Sequence, residues 1–103
     1  IDRGFNDPSL HDELVASYEK VILMVADAGL KNLICFTGRR NGATGLQGGE
    51  NCAKGRGGIM PTAEKYGVTV SMELLNSVGH KDYLCDDTVW GAVLCRGGGL
   101  HNF

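Results

Sequence analysis

Two short apolar runs, at residues 33–37 and 68–75, each follow a helix-like stretch that stops at a glycine. This repetition constrains the fold more than any other feature. Ala26-Asp27-Ala28-Gly29-Leu30 leads into the first run, and Ala63-Glu64-Lys65-Tyr66-Gly67-Val68 leads into the second. The two glycine stops lie about 38 residues apart, the length of one β-α unit. A third helical pattern follows, so the expected order is α-β-α-β-α. Units of this kind make parallel strands joined by right-handed crossovers. A parallel sheet is stable when both faces are covered, and two strands do not complete one. The pattern therefore predicts an α/β segment of a larger fold. The chain also opens on Ile1 rather than Met, and a fragment is expected.

The boundaries follow from local chemistry. Ser9 is a candidate cap for the first helix, with Asp12 and Glu13 in its first turn. Leu10, Leu14, Val15, Tyr18, Val21, Ile22 and Val25 recur at helical spacing, and Gly29 ends the run. Residues 38–49 read as a loop rich in Gly, Asn and Arg. A second helix is predicted over about 50–66, with Pro61 kinking or splitting it and Gly67 ending it. Residues 76–85 read as a polar loop. Asp86 or Asp87 is a candidate cap for a third helix reaching about Cys95, and residues 97–103 read as loop.

Composition narrows the function classes. The formal net charge is -2 and no basic cluster stands out beyond the adjacent Arg39 and Arg40, so no nucleic-acid footprint is expected. No apolar run of about 18 residues and no signal peptide is evident, and a cytoplasmic protein without membrane contact is expected. Cys35, Cys52, Cys85 and Cys95 lack CxxC spacing; they read as buried free thiols in a reducing compartment. Glycine is abundant, 16 of 103, about twice the usual share, and several glycines fall inside predicted helices. Each lowers helix stability by roughly 1 kcal/mol relative to Ala.

The second strand carries the chemistry. Side chains alternate along a strand, so Val68, Val70, Met72 and Leu74 share one face and Thr69, Ser71, Glu73 and Leu75 the other. The first set should pack on helices. The second is mostly small and polar, with a carboxylate near its end. A carboxylate on a buried strand is costly unless it is paired or binds a metal. A salt bridge to a Lys or Arg of a neighbouring strand is the structural alternative to a functional role.

Met72-Glu73-Leu74-Leu75-Asn76-Ser77, His80-Lys81-Asp82-Tyr83, Cys85-Asp86 and Trp90-Gly91 together resemble the hydroxypyruvate isomerase-like branch of the xylose isomerase-like TIM barrels, the sugar phosphate isomerase/epimerase family. Residues 34–42 resemble that group's fourth strand and loop. Glu50-Asn51-Cys52 and Met60-Pro61-Thr62-Ala63-Glu64-Lys65 resemble the following helix, and Gly4-Phe5-Asn6 the loop before the third helix. The resemblance implies a partial (β/α)8 TIM barrel. Residues 1–103 would form a central α-β-α-β-α segment with parallel strands, incomplete at both ends. Arg56-Gly57-Gly58 and Arg96-Gly97-Gly98-Gly99 depart from the family pattern of helix formers and a basic pair, which predicts weaker helices.

By the same resemblance, Glu73 matches the first of four ligands to one divalent metal, Mg or Mn, and the other three lie beyond Phe103. Glu73 would be both metal ligand and catalytic acid/base in an enediolate isomerisation of hydroxypyruvate or a small ketose. The full protein would act on a sugar or hydroxy-keto acid, with homo-oligomerisation left open, and the 103 residues alone would be inactive. Asn76, His80 and Thr37 are candidate substrate-binding residues, with Arg39 a weaker one. Each has a plain alternative: a turn-forming Asn, a solvated loop His, a residue at a strand end. Trp90 reads as helix packing, Asp86 as a helix cap, and His101 supports no role. The competing readings are a ketose 3-epimerase or inosose dehydratase on the same barrel, and a non-catalytic barrel domain that binds without turning over. A nucleic-acid enzyme of the same fold is disfavoured by the net charge.

Overall fold

Apolar residues at helical spacing after Pro8 give the first helix its buried stripe. The computed structural model describes residues 2–97. A short 3-10 turn, Pro8–Leu10, runs into α1 (His11–Asp27), followed by β1 (Asn32–Cys35), α2 (Gly45–Tyr66), β2 (Thr69–Met72) and α3 (Thr88–Gly97). The order α-β-α-β-α holds. The two strands pair in parallel, with Asn32 opposite Thr69 and Cys35 opposite Met72. Among the described residues they form a two-stranded sheet and no closed barrel. Among the described residues no helix is long and apolar enough to cross a membrane.

Several boundaries differ from the sequence reading. The start of the first helical segment is capped by Asp7 rather than Ser9: the Asp7 carboxylate accepts from the Ser9 amide at 3.0 Å and from its hydroxyl at 2.6 Å. The second helix begins at Gly45, five residues earlier than predicted, because Thr44 Oγ1 accepts from the Gln47 amide and caps it. Pro61 sits inside this helix without splitting it. Pro61 is exposed, as is Gly57, the residue whose carbonyl loses its usual donor there. Gly67 ends the helix in the left-handed conformation, φ 67°, as predicted. Asp87 caps α3, accepting from the amides of Val89 and Trp90. Gly97 is helical rather than loop, and the remaining tail with His101 lies outside the described residues.

The glycines of α2 have a packing role that composition concealed. A Cβ on Gly55 would lie 2.5 Å from the Phe5 ring, and one on Gly58 would lie 2.6 Å from a methyl of Val15. The absence of side chains lets α1 and the segment before it approach α2 closely. Their seam contributes Ile22, Ile59 and Ala63 to the core, beside Phe5, Cys35, Cys52, Met60, Val68, Val70 and Leu84. Arg56 is buried and donates to the Leu94 carbonyl at 2.9 Å, fastening α3 to α2. Here a charged donor meets the negative end of a helix.

All this packing lies on one face of the sheet. Cys35 and Val70 are buried against the helices. On the opposite face Ser71 is exposed and its partner Ile34 is 50% exposed. The sheet thus has one covered face and one open face.

Candidate functional site

The strands run in parallel, so their C-terminal ends lie side by side, and the loops that follow them meet there. The ladder extends one bond past β2, where the Glu73 amide donates to the Cys35 carbonyl at 2.9 Å. By strand alternation Glu73 falls on the face of Ser71 and Ile34, the open one. Its side chain is half-buried. Among the described residues its carboxylate has no hydrogen-bond or ion-pair partner. The Lys or Arg from a neighbouring strand that would make it a structural ion pair is not found among them.

Tyr83 locks the two strand ends together. Its phenol is 1% exposed, donates to the Glu73 carbonyl at 2.8 Å and accepts from the Thr37 amide at 3.2 Å. Burial raises the Tyr83 pKa, opposed by the hydrogen bond from Thr37. The phenol therefore stays protonated and keeps its donor role at neutral pH. Sequence reasoning gave Tyr83 no role. A single Tyr in a polar loop carries no signal that its hydroxyl reaches two strand ends.

A second tie comes from the opening loop. The Phe5 and Asn6 amides donate to the carbonyls of Phe36 and Thr37. Gly4 makes this possible, because a Cβ there would stand 2.3 Å from the Thr37 backbone. The Asn6 side chain donates to the carbonyls of Arg39 at 2.8 Å and Arg40 at 3.0 Å. It accepts in turn from Asn51, which accepts from Gln47 on the same helix. This relay of amides fixes the loop after β1.

The predicted substrate residues fall in different surroundings. Thr37 is fully buried; its hydroxyl donates to the Gly38 carbonyl and accepts from the Cys85 amide. These bonds hold the strand ends together and engage the Thr37 hydroxyl within the protein. Asn76 accepts from the Gly79 amide at 2.7 Å, shaping the turn after the strand, so its turn-forming alternative is realised. His80 is half-buried in that turn and lines a cleft of about 360 Å³ with Asp2, Arg39, Gly79, Lys81 and Tyr83. Asp86 is not a cap; it pairs with Arg40 at 3.2 Å. Trp90 packs and donates to the Gly45 carbonyl at 2.9 Å.

The four cysteines are free thiols. Burial pushes Cys52 up to about 12 and Cys85 up to about 11, with Cys95, Asp86, Asp87 and Glu73 adding to the shift at Cys85. Burial also raises Cys35, whose shift the other three thiols reinforce. The three buried thiols, Cys35, Cys52 and Cys85, are inert, neutral groups at ordinary pH.

Among the described residues no three His, Cys, Asp or Glu side chains stand together as a metal site. One carboxylate does not hold a divalent ion by itself, so the described residues do not fit a complete metal centre. No family profile, curated protein or solved structure matches this chain.

Proposed function

We propose that this chain is the central part of a sugar isomerase of the hydroxypyruvate isomerase-like type, with Glu73 as its proton-transfer group. One observation carries the reading: a carboxylate without a partner among the described residues, just past the C-terminal end of a parallel strand and, by alternation, on the face away from the helices. In a (β/α)8 barrel that face is the interior and that end is where catalytic residues cluster. A parallel sheet left open on one side calls for further strands to cover it. Closing the barrel over Ile34, Ser71 and Glu73 would supply that cover.

The chemistry is a proton shift between adjacent carbons. Glu73 takes the proton from the carbon beside the substrate carbonyl, giving an enediolate. A second, protonated carboxyl group, from a strand outside the described pair, gives a proton to the neighbouring carbon while the hydroxyl proton passes to the former carbonyl oxygen, and solvent then resets the two carboxyl groups. Hydroxypyruvate would become tartronate semialdehyde in this way. Tyr83 holds the Glu73 backbone in place but leaves its carboxylate unencumbered. A divalent ion belongs to the proposal with Glu73 as one donor and further donors on other strands.

The test is turnover of hydroxypyruvate, followed by deuterium uptake from solvent, in the full-length protein and its Glu73→Gln variant. The reading expects exchange in the first, at least a hundredfold less in the second, and none from the 103 residues alone. Equal exchange in both full-length proteins would remove it. Return of the proton to the opposite face of the same carbon, seen as epimerised product from a ketose, would favour the 3-epimerase alternative.

A further inference from the structure

The loop after β2 builds a cleft that the proton-transfer reading leaves unused. Arg39, His80 and Lys81 line it together, with Asp2, Gly79 and Tyr83 completing the wall. Two fixed cations and an imidazole thus face one acidic side chain. Asp2 holds the Arg39 Nε at 3.0 Å, yet both partners remain open to water, 69% and 49% exposed. A pair so exposed contributes little, about 0–1 kcal/mol, and a ligand with better geometry can displace it. Among the described residues His80 and Lys81 have no hydrogen bond or ion pair through their side chains.

The cleft is also built rather than incidental. Asn76 ties the turn to Gly79, and the Tyr83 amide donates back to the His80 carbonyl. The Arg40 amide donates to the Asp82 carbonyl at 2.7 Å, and the Asn41 amide donates to the Asp82 carboxylate at 3.2 Å. Asn41 and Asp82 both adopt positive φ, 50° and 62°, an uncommon state for non-glycine residues. Two loops held against each other, with these two residues in the left-handed region, fix the backbone that carries Arg39 and His80. Such conformations cluster at functional sites.

We infer that this cleft is an anion-binding site that takes a carboxylate or phosphate group of a small substrate, with Arg39 as its main contact. A planar guanidinium suits either oxyanion through paired hydrogen bonds, and Lys81 adds a point charge. Asp2 occupies Arg39 until the anion arrives. The inference rests on the proposed isomerase only for what the anion is attached to: an acid such as hydroxypyruvate, or a sugar phosphate. The site itself stands on the cleft.

The experiment is an NMR titration of the chain with inorganic phosphate and, separately, hydroxypyruvate, following the imidazole C–H resonances. The sequence has three histidines, and His11, whose ring bonds the Phe5 carbonyl, serves as internal reference. The expected result is a saturable shift of His80 alone. Arg39→Gln weakens binding about tenfold, and Asp2→Asn, which removes the internal competitor, tightens it several-fold. A preference for phosphate assigns a phosphorylated substrate; a preference for hydroxypyruvate assigns a free carboxylate. No saturable shift by about 50 mM of either probe overturns the inference, as does a response unchanged by Arg39→Gln. Anion binding with no effect of Glu73→Gln on exchange would retire the isomerase and keep the cleft. Loss of the cleft with exchange intact would do the reverse.

Discussion

Replacing Tyr83 by Phe removes one oxygen and orphans two backbone groups. The Thr37 amide, on a fully buried residue, loses its acceptor, and the Glu73 carbonyl loses its donor. A buried polar group left without a partner costs about 1–3 kcal/mol. Thr37 should lie in the middle of that range. Glu73 is half-buried and water can reach part of it, so its carbonyl should lie at the low end. The sum is about 2–4 kcal/mol, a large share of the roughly 5–15 kcal/mol that holds a domain of this kind together. With a urea m-value of about 1–2 kcal/mol per molar, the unfolding midpoint should fall by about 1–4 M. Trp90, the single tryptophan, reports the transition by fluorescence. The m-value should be unchanged and the Thr37 amide should lose hydrogen-exchange protection. A midpoint within about 0.3 M of the parent would show that the hydroxyl does not join the strand ends, and the reasoning would fail.

Other substitutions test the packing and the thiols. Gly57→Ala, where an added Cβ meets nothing within 4 Å, should stabilise by up to about 1 kcal/mol, while Gly58→Ala should destabilise by a similar amount, because the stiff Val15 side chain cannot give way. Thermal melts should separate the pair by roughly 8–16 °C; equal stabilisation of both variants, which helix propensity alone would give, would contradict the packing argument. The Cys85 thiol, raised from 9.0 to about 11, is neutral when folded and ionises first when unfolded. Its contribution is therefore fully present below pH 9, falls as pH rises from 9 to 11, and is flat above. Denaturation series over that window should show stability falling, and the Cys85→Ser variant should show a shallower slope. At pH 8 a thiol reagent should modify the half-buried Cys95 well before Cys35, Cys52 and Cys85; uniform rates would contradict the burial.

The elements that were legible in the sequence are those set by local signals. The presence and order of the two strands, the glycine stops at Gly29 and Gly67, and the periodic stripe of α1 all read correctly because each depends on near neighbours, while the strands end earlier than read, at Cys35 rather than Thr37 and at Met72 rather than Leu75. The start of α2 did not. Gly48 and Gly49 argued for a loop by propensity, yet Thr44 caps a helix there and Gly48 fits beneath Leu84. Tertiary contact overrode propensity. Asp86 and Asp87 are interchangeable as caps by sequence; only the position of Arg40 decides which one pairs and which one caps. Alternation placed Glu73 on its face, but the burial of Thr37 depended on the Tyr83 and Cys85 loop folding over it, a long-range contact with no local signature. The two-stranded sheet bears out the parallel α/β order, and barrel closure stays with the proposal.

The central claim is that the Glu73 carboxylate is held at a strand end for a ligand rather than for structure. Electron paramagnetic resonance of Mn²⁺ titrated into the full-length protein measures this directly, since bound and free ion give different signals. The account predicts stoichiometric binding to the parent protein and a loss of at least tenfold in affinity on Glu73→Gln, with the urea midpoint unchanged. Unaltered Mn²⁺ affinity together with a lowered midpoint would contradict it, leaving Glu73 a structural carboxylate.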